Sequence, residues 1–387
     1  MSKGERLNEA HVARIRRDEF AWMNAQDVVY MNAASTGPSP TRSVEAQIDF
    51  VRRRSTPHLV DFDDQFGTLD RCRRLITQLI GGSEGEIGLT TNTGAGINLA
   101  AWGLPLGAGD EVVVPDGEFP ANMYPWLAAS RARGFGLHVV PLRDGLPSMD
   151  ALLAALDRPA VRVLAVSWVG FASGARLDLD VLGAACRARG IVFVVDAIQG
   201  IGALVLDVNQ SSIDILACGG QKWLLSPWGT GFVYVREGMM ESVTPQPVSW
   251  MAVRDSDDFS RLAQYDLTWR PNARRFEQVT LAYQDFAGMA ASLELLVELG
   301  AGEVASHLQR CAHALLDGAS ACGMPLVTPL DCHAGIASVR PTNAQAVSTR
   351  LTEANVIHSV REGTIRLAPH CYTTDDDIAR TLDALTS

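Results

Sequence analysis

Lysine is nearly absent from this sequence. Of 33 basic residues, two are lysine, Lys3 and Lys222, and the other 31 are arginine. Arginine replaces lysine on a solvated surface, but its guanidinium stays protonated and forms no imine. A lysine retained in the body of the chain is therefore either a chance survivor or a covalent catalyst. Lys3 falls in the terminal stretch, read as mobile, which leaves Lys222. Cysteine is also scarce and unpatterned: seven residues (72, 186, 218, 311, 322, 332 and 371) with no CxxC pair. This argues against a disulfide framework and a zinc site, and for a reducing cytoplasm. No apolar run approaches the roughly 18 residues of a membrane span. Glu5, Arg6, Glu9, Arg14, Arg16, Arg17, Asp18 and Glu19 crowd the start of the chain, which lacks the apolar centre of a signal peptide. Positive charge is in deficit, with 33 basic residues against 44 acidic and a net charge of −11. That balance argues against a nucleic-acid backbone as main partner. No GxGxxG opens the first helical pattern, which weakens a Rossmann reading.

What is present is a 387-residue chain, 47% hydrophobic and 20% charged, the profile of a two-domain enzyme subunit. Short valine-rich runs predict strands at Glu86–Thr91, Glu111–Pro115, Leu137–Pro141, Val161–Ser167, Ile191–Asp196, Ile213–Ala217 and Gly231–Val235. Helical patterns lie between them at Thr93–Trp102, Pro120–Ala132, Met149–Leu156 and Leu179–Arg189. The alternation predicts an α/β fold around a mostly parallel sheet. Residues 249–275 are polar and irregular. Helix and strand signals resume at Tyr283–Leu299, Glu303–Ala321, Ile336–Val339, Thr342–Glu353 and Thr364–Leu367. A last helix opens at Thr373/Thr374, where Asp375, Asp376 and Asp377 read as first-turn capping and not as a metal site. The expected organisation is an N-terminal segment 1–30 packing with a small domain, a large domain 31–248, and a small α+β domain 249–387.

Lys222 lies just past a strand end, in Gly219–Gly220–Gln221–Lys222–Trp223. Asp196 closes another, in Val194–Val195–Asp196–Ala197–Ile198–Gln199. The C-terminal ends of parallel strands are where α/β sheets place ligands. A buried carboxylate beside a lysine can be a plain ion pair. The same two groups on neighbouring strand ends also fit pyridoxal phosphate, which needs a lysine for its aldehyde and an anion for its pyridinium nitrogen. Thr91–Asn92–Thr93–Gly94–Ala95–Gly96 follows a strand and opens a helix. Alone it is a common helix start; beside the lysine and the aspartate it becomes a phosphate cradle.

These segments, with Pro227–Trp228–Gly229–Thr230–Gly231–Phe232, Tyr30–Met31–Asn32–Ala33–Ala34, Arg274–Arg275–Phe276–Glu277 and Ile365–Arg366–Leu367–Ala368–Pro369–His370, resemble the fold-type-I pyridoxal-phosphate enzymes of aminotransferase class V. That family includes cysteine desulfurases, selenocysteine lyases, kynureninases and isopenicillin-N-epimerase-like proteins. The resemblance covers nearly the whole chain. It implies a seven-stranded, mostly parallel sheet sandwiched by helices. It also implies Lys222 as the catalytic, cofactor-attaching lysine and Asp196 as the pyridinium partner. Gln199 is implied at the phenolic oxygen, Thr93, Gly94 and Ala95 at the phosphate, and Ser167 within the cofactor pocket. Thr280 would reach the phosphate across a homodimer interface with shared sites, and Arg366 would grip the substrate carboxylate beside Asn32. For Arg366 the alternative is an ordinary surface arginine. His370 is a candidate pocket residue, with a structural role equally open.

Four departures bear on the reaction. Residues Ile357–Thr364 contain no cysteine, and Cys371 falls after Arg366, against a persulfide-forming desulfurase. Phe119 stands where desulfurases stack a histidine; it can cover the ring but carries no proton. Gln221 replaces a histidine and can still donate to the phosphate. Trp168 and Phe171 replace a histidine and an asparagine, which implies an aromatic substrate pocket. The first expectation is a lyase cleaving a β-substituent of an amino acid, a C–S bond of a cysteine conjugate in specialised biosynthesis, or a decarboxylating variant of it. The alternative is an aminotransferase with a keto-acid acceptor. A cofactor-binding regulatory protein is a third possibility, without an attached module to support it.

Overall fold

The computed structural model describes residues 7–387; Lys3 lies outside them. Twelve strands run in chain order: β1 Val29–Tyr30, β2 Ile87–Thr90, β3 Glu111–Pro115, β4 Gly136–Val140, β5 Val161–Ser167, β6 Val192–Asp196, β7 Ile215–Gly219, β8 Gly231–Val235, β9 Ala337–Val339, β10 Val356–Ile357, β11 Ser359–Arg361 and β12 Thr364–Leu367. Seven of them form the main sheet in the order β2-β8-β7-β6-β5-β3-β4. The neighbours from β7 to β4 are parallel, whereas β8 is antiparallel to both β7 and β2. The reversal has a simple cause. Residues 220–230 between β7 and β8 hold no crossover helix, and a short link joins strands only in antiparallel sense.

The strands are apolar on both faces because helices cover both. Leu164, Val166, Val195, Leu216 and Cys218 point into one core, and Val163, Ala165, Val194, Ile215 and Ala217 into the other. That alternation is the two-residue period of a strand buried in a sandwich. Helix Thr93–Gly103 packs against β7 closely enough that a Cβ on Gly96 would lie 2.7 Å from the Ala217 Cβ. Among the described residues four helices that the apolar pattern did not announce precede the main sheet: Glu9–Glu19, Trp22–Ala25, Thr41–Arg54 and Phe62–Ile80. The latter two pack on helix Tyr283–Leu299.

The C-terminal part has its own antiparallel sheet, β11-β12-β9, and its own apolar core, with helices Ala301–Ala321, Ala344–Glu353 and Asp375–Thr386. The three aspartates serve as a helix start: Thr374 accepts from Asp377 N through its side chain, and Asp377 answers at Thr374 N. The N-terminal segment is stitched to this part. Arg16 pairs with Asp377, β1 runs parallel to β10, and Asn32 bridges to Ala368 just past β12. That bridge carries residues 32–35 to the side of Arg366.

Candidate active site

Three parallel strands end side by side, with Ser167 of β5 paired to Asp196 of β6 and Asp196 to Ala217 of β7. The link to β8 carries Lys222 over these ends. It is closed by Gly220 N donating to Thr230 O at 2.8 Å, and braced by Gly37 N donating to Gln221 O at 2.8 Å. Only glycine serves at position 37, because a Cβ there would sit 2.0 Å from the Lys222 carbonyl oxygen. Lys222 Nζ stands 5.5 Å from the centre of the Phe119 ring, with no protein hydrogen-bond acceptor among the described residues. Burial pushes its pKa down to about 8; Asp196 opposes the shift, while the charges of Arg366 and Arg361 assist it. The result is an amine partly neutral near physiological pH, the form that attacks carbonyls.

Asp196 is 3% exposed and receives Ile198 N at 3.0 Å on Oδ1, leaving Oδ2 for a ligand N–H. Burial raises its pKa to about 6, with the Ile198 bond and Lys222 pulling the other way. Beside it stands a carboxyl that the motifs did not single out. Glu118 accepts from Ser167 N at 2.6 Å and from the Ser167 hydroxyl. Burial drives its pKa up to about 7, and the negative charge of Asp196 contributes to the rise. Ser167, expected to touch the cofactor, is therefore occupied by Glu118.

Helix Thr93–Gly103 starts at the same edge, where Thr93 Oγ1 accepts from Gly219 N at 2.9 Å. Asn92 caps the helix, its Oδ1 accepting from Ala95 N at 3.0 Å. The Thr93 and Gly94 amides thus form the open part of the cradle, while the Ala95 amide is held by the cap. Gln221 lies at the same turn, its side-chain oxygen close to Gly219. Gln199 gives one N–H to Ala34 O at 3.0 Å and accepts from Trp223 Nε1 at 2.8 Å, which leaves its second N–H. Phe119 is 42% exposed and meets Phe171 edge-on, with centroids 5.3 Å apart.

On the substrate side, Arg366 is 2% exposed and donates to Ser359 Oγ at 3.1 Å, Phe171 O at 2.6 Å and Ser35 Oγ at 2.7 Å. All three acceptors are neutral. Burial, helped by Arg361, pushes its pKa down to about 10. Asn32 Oδ1 is buried without a partner. Trp168 does not line the pocket as expected. It is 5% exposed and fills the core against Gly200, whose Cβ would lie 2.0 Å from Trp168 Cε3. Thr280 is exposed. His370 is structural: it is buried, its Nε2 lies 3.0 Å from Trp223 O, and its Nδ1 accepts from Cys371 N at 2.8 Å.

A pyridoxal phosphate fits these groups. A lysine amine without a protein hydrogen-bond acceptor among the described residues, a carboxylate with one open oxygen and a helix start with open N–H groups all stand at one sheet edge. The family model for aminotransferase class V matches residues 29–380. Isopenicillin N epimerase of Streptomyces clavuligerus is 30% identical over 92% of this chain and 94% of its own length. A probable cysteine desulfurase of Pyrococcus abyssi is 26% identical over 93% of this chain and 94% of its own. The cystine C–S lyase C-DES, solved with its product cysteine persulfide, superposes with a TM-score of 0.86 at 22% identity, covering 95% of this chain and 99% of C-DES. A lysine-to-alanine variant of C-DES, solved with glycine covalently linked to its PLP cofactor, gives 0.87 at 22% identity, covering 96% and 99%.

Proposed function

The chain belongs to the aminotransferase class-V family, a family of pyridoxal-phosphate enzymes, and from that premise we propose that it is a lyase that removes a β-substituent from an amino acid, a C–S bond being the bond cleaved. One observation carries the placement of the chemistry: Lys222 Nζ, without a hydrogen-bond acceptor among the described residues, stands over the strand ends that hold Asp196. When bound, pyridoxal phosphate draws electrons from the amino acid's α-carbon, so that a bond to that carbon breaks heterolytically. Lys222 supplies the neutral amine for attachment and then takes the proton at the α-carbon. Asp196 Oδ2 holds a proton on the ring nitrogen. The Thr93 and Gly94 amides and the Thr93 hydroxyl take the phosphate, with Gln221 beside them. The spare N–H of Gln199 serves the phenolic oxygen. Phe119 covers one ring face and keeps water from it, and it can neither give nor take a proton. Arg366 and Asn32 orient the substrate carboxylate.

The choice of a lyase that needs no protein thiol rests on the β10–β11–β12 segment. Residues 357–364 hold no cysteine and lead into a tight β11–β12 hairpin over 359–367, and Cys218 and Cys371 are fully buried, with burial pushing both thiols up. The likeness to cysteine desulfurases runs along the chain, so the distinction stands on this hairpin. The reading also places two copies together. Thr280 is exposed, and Val44, Ile48 and Val51 on helix Thr41–Arg54 present an apolar stripe outward. A homodimer would cover that stripe and bring Thr280 to the partner's phosphate. Among the described residues no helix is long and apolar enough to cross a membrane.

Transamination uses the same residues and is favoured by the family's description. Incubation of the holoenzyme with S-substituted cysteines separates the two. Pyruvate, ammonia and free thiol, with the cofactor still an aldehyde, are expected. A product that keeps its sulfur substituent would reject elimination. It would favour transamination if the cofactor became an amine, and decarboxylation if carbon dioxide were released.

A further inference from the structure

Arg366 shares its position with a second cation. Arg361 Nη2 donates to Ser35 Oγ at 3.3 Å, the same oxygen that receives Arg366 Nη2 at 2.7 Å. The two nitrogens therefore lie within about 6 Å of each other. Strand register explains the convergence. In the β11–β12 hairpin Ser359 faces Arg366, and Arg361 lies two residues beyond Ser359 on the same face. Residues 359, 361 and 366 thus project to one side, with the two arginines as diagonal neighbours.

Every acceptor of this pair is neutral. Arg361 donates to Val360 O and Ser35 Oγ, and Arg366 to Ser359 Oγ, Phe171 O and Ser35 Oγ. Two like charges this close repel unless an anion is placed between or against them. Both also act on the Lys222 amine, which puts Arg361 within the field of the site. One α-carboxylate satisfies one guanidinium in bidentate fashion; the other is left over.

We propose that the Arg361–Arg366 pair selects an amino acid with a second acidic group, Arg366 taking the α-carboxylate and Arg361 the acid on the side chain. This rests on the reading of Lys222 and Arg366 given above and narrows its substrate class. A cysteine conjugate would then be one whose sulfur substituent ends in an acid.

The test compares acids with their uncharged amides on the holoenzyme, following the cofactor absorbance as each is titrated. The pairs are L-aspartate with L-asparagine, L-glutamate with L-glutamine, and S-carboxymethyl-L-cysteine with S-carbamoylmethyl-L-cysteine. In at least one pair the acid is expected to bind about tenfold more tightly or better, the worth of a charge-assisted hydrogen bond. R361Q should remove that ratio while leaving the amide within about threefold of its wild-type affinity, and R361K should retain part of it. R366Q should weaken acid and amide alike. The proposal is overturned if wild-type enzyme prefers the acid in none of the pairs, a result that needs no variant. It is also overturned if R361Q weakens acid and amide equally, which would mean that both arginines hold one carboxylate. If no amino acid perturbs the cofactor at all, the underlying enzymatic reading fails and this proposal falls with it.

Discussion

Replacing Lys222 should make the cofactor-free protein more stable. In the folded chain burial lowers the Lys222 pKa from 10.5 to about 8. At about 1.36 kcal/mol per unit, that shift sets a ceiling of about 3 kcal/mol on the cost of keeping the amine charged at neutral pH. The side chain is only partly buried and loses the attraction of Asp196 when removed, so the expected gain for Lys222→Met is about 1–2 kcal/mol at pH 7. The sign follows from proton counts. Below about pH 8 the folded wild type carries the full cost; as pH climbs toward 10.5 the unfolded chain also loses its proton and the cost fades. Wild type should therefore gain on the variant between about pH 7 and about pH 10. Lys222 is the only lysine among the described residues; the buried thiols, pushed up by burial, also make stability depend on pH in that window, but both proteins share them, so the difference between the two isolates the lysine. Urea unfolding midpoints of both proteins, freed of cofactor, at about pH 7 and about pH 9.5 provide the assay. A variant that is no more stable at pH 7, with a wild-type pH dependence, would refute the reasoning.

Two other perturbations test the scaffold. Gly37→Ala drives a Cβ to 2.0 Å from the Lys222 carbonyl oxygen and 2.8 Å from Leu225 Cδ2, so the lysine turn must shift. The purified variant should carry less than about a tenth of the wild-type cofactor absorbance and be destabilised by about 1–3 kcal/mol; normal cofactor content would show that the turn tolerates the shift. His370 is pushed down to about 4 by burial and bonded at both ring nitrogens. His370→Gln should cost about 1–3 kcal/mol of stability while leaving the midpoints of the pH–rate profile in place. A moved midpoint would make His370 a proton carrier.

The strand that ends in Ser167 was legible because both its faces are covered along Val163–Val166, which reads as a continuous apolar run, and the structure keeps the boundaries Val161–Ser167. Lys222 stood out for the opposite reason, as a lysine kept in a chain where 31 of 33 basic residues are arginine. Helix Thr41–Arg54 was not. Only Ser43 and Phe50 of it are buried, and its apolar positions Val44, Ile48 and Val51 face outward, so no core-facing stripe marks it. Trp168 was misplaced because its neighbours Ser167 and Val169 do not reveal which way a strand-end side chain turns. The missing Cβ of Gly200, 32 residues on, makes the hole that it fills.

Glu118 and Arg361 escaped for a deeper reason, in that each acquires meaning only from a partner distant in sequence. Glu118 looks like a solvated turn residue until β5 brings the Ser167 N–H to it and β6 brings the charge of Asp196. Arg361 looks like one more of 31 arginines until residues 32–35 carry Ser35 to the hairpin. Arg361 acts with Asp196 and Arg366 on one amine. Asp196 favours the charged form of Lys222, while Arg361 and Arg366 disfavour it. An acid seated on the two arginines cancels much of their field, so Lys222 becomes a stronger base when such a substrate is in place. The charges that choose the substrate would then also ready the lysine to take its proton, and an amide analogue would be disadvantaged twice, in binding and in proton removal.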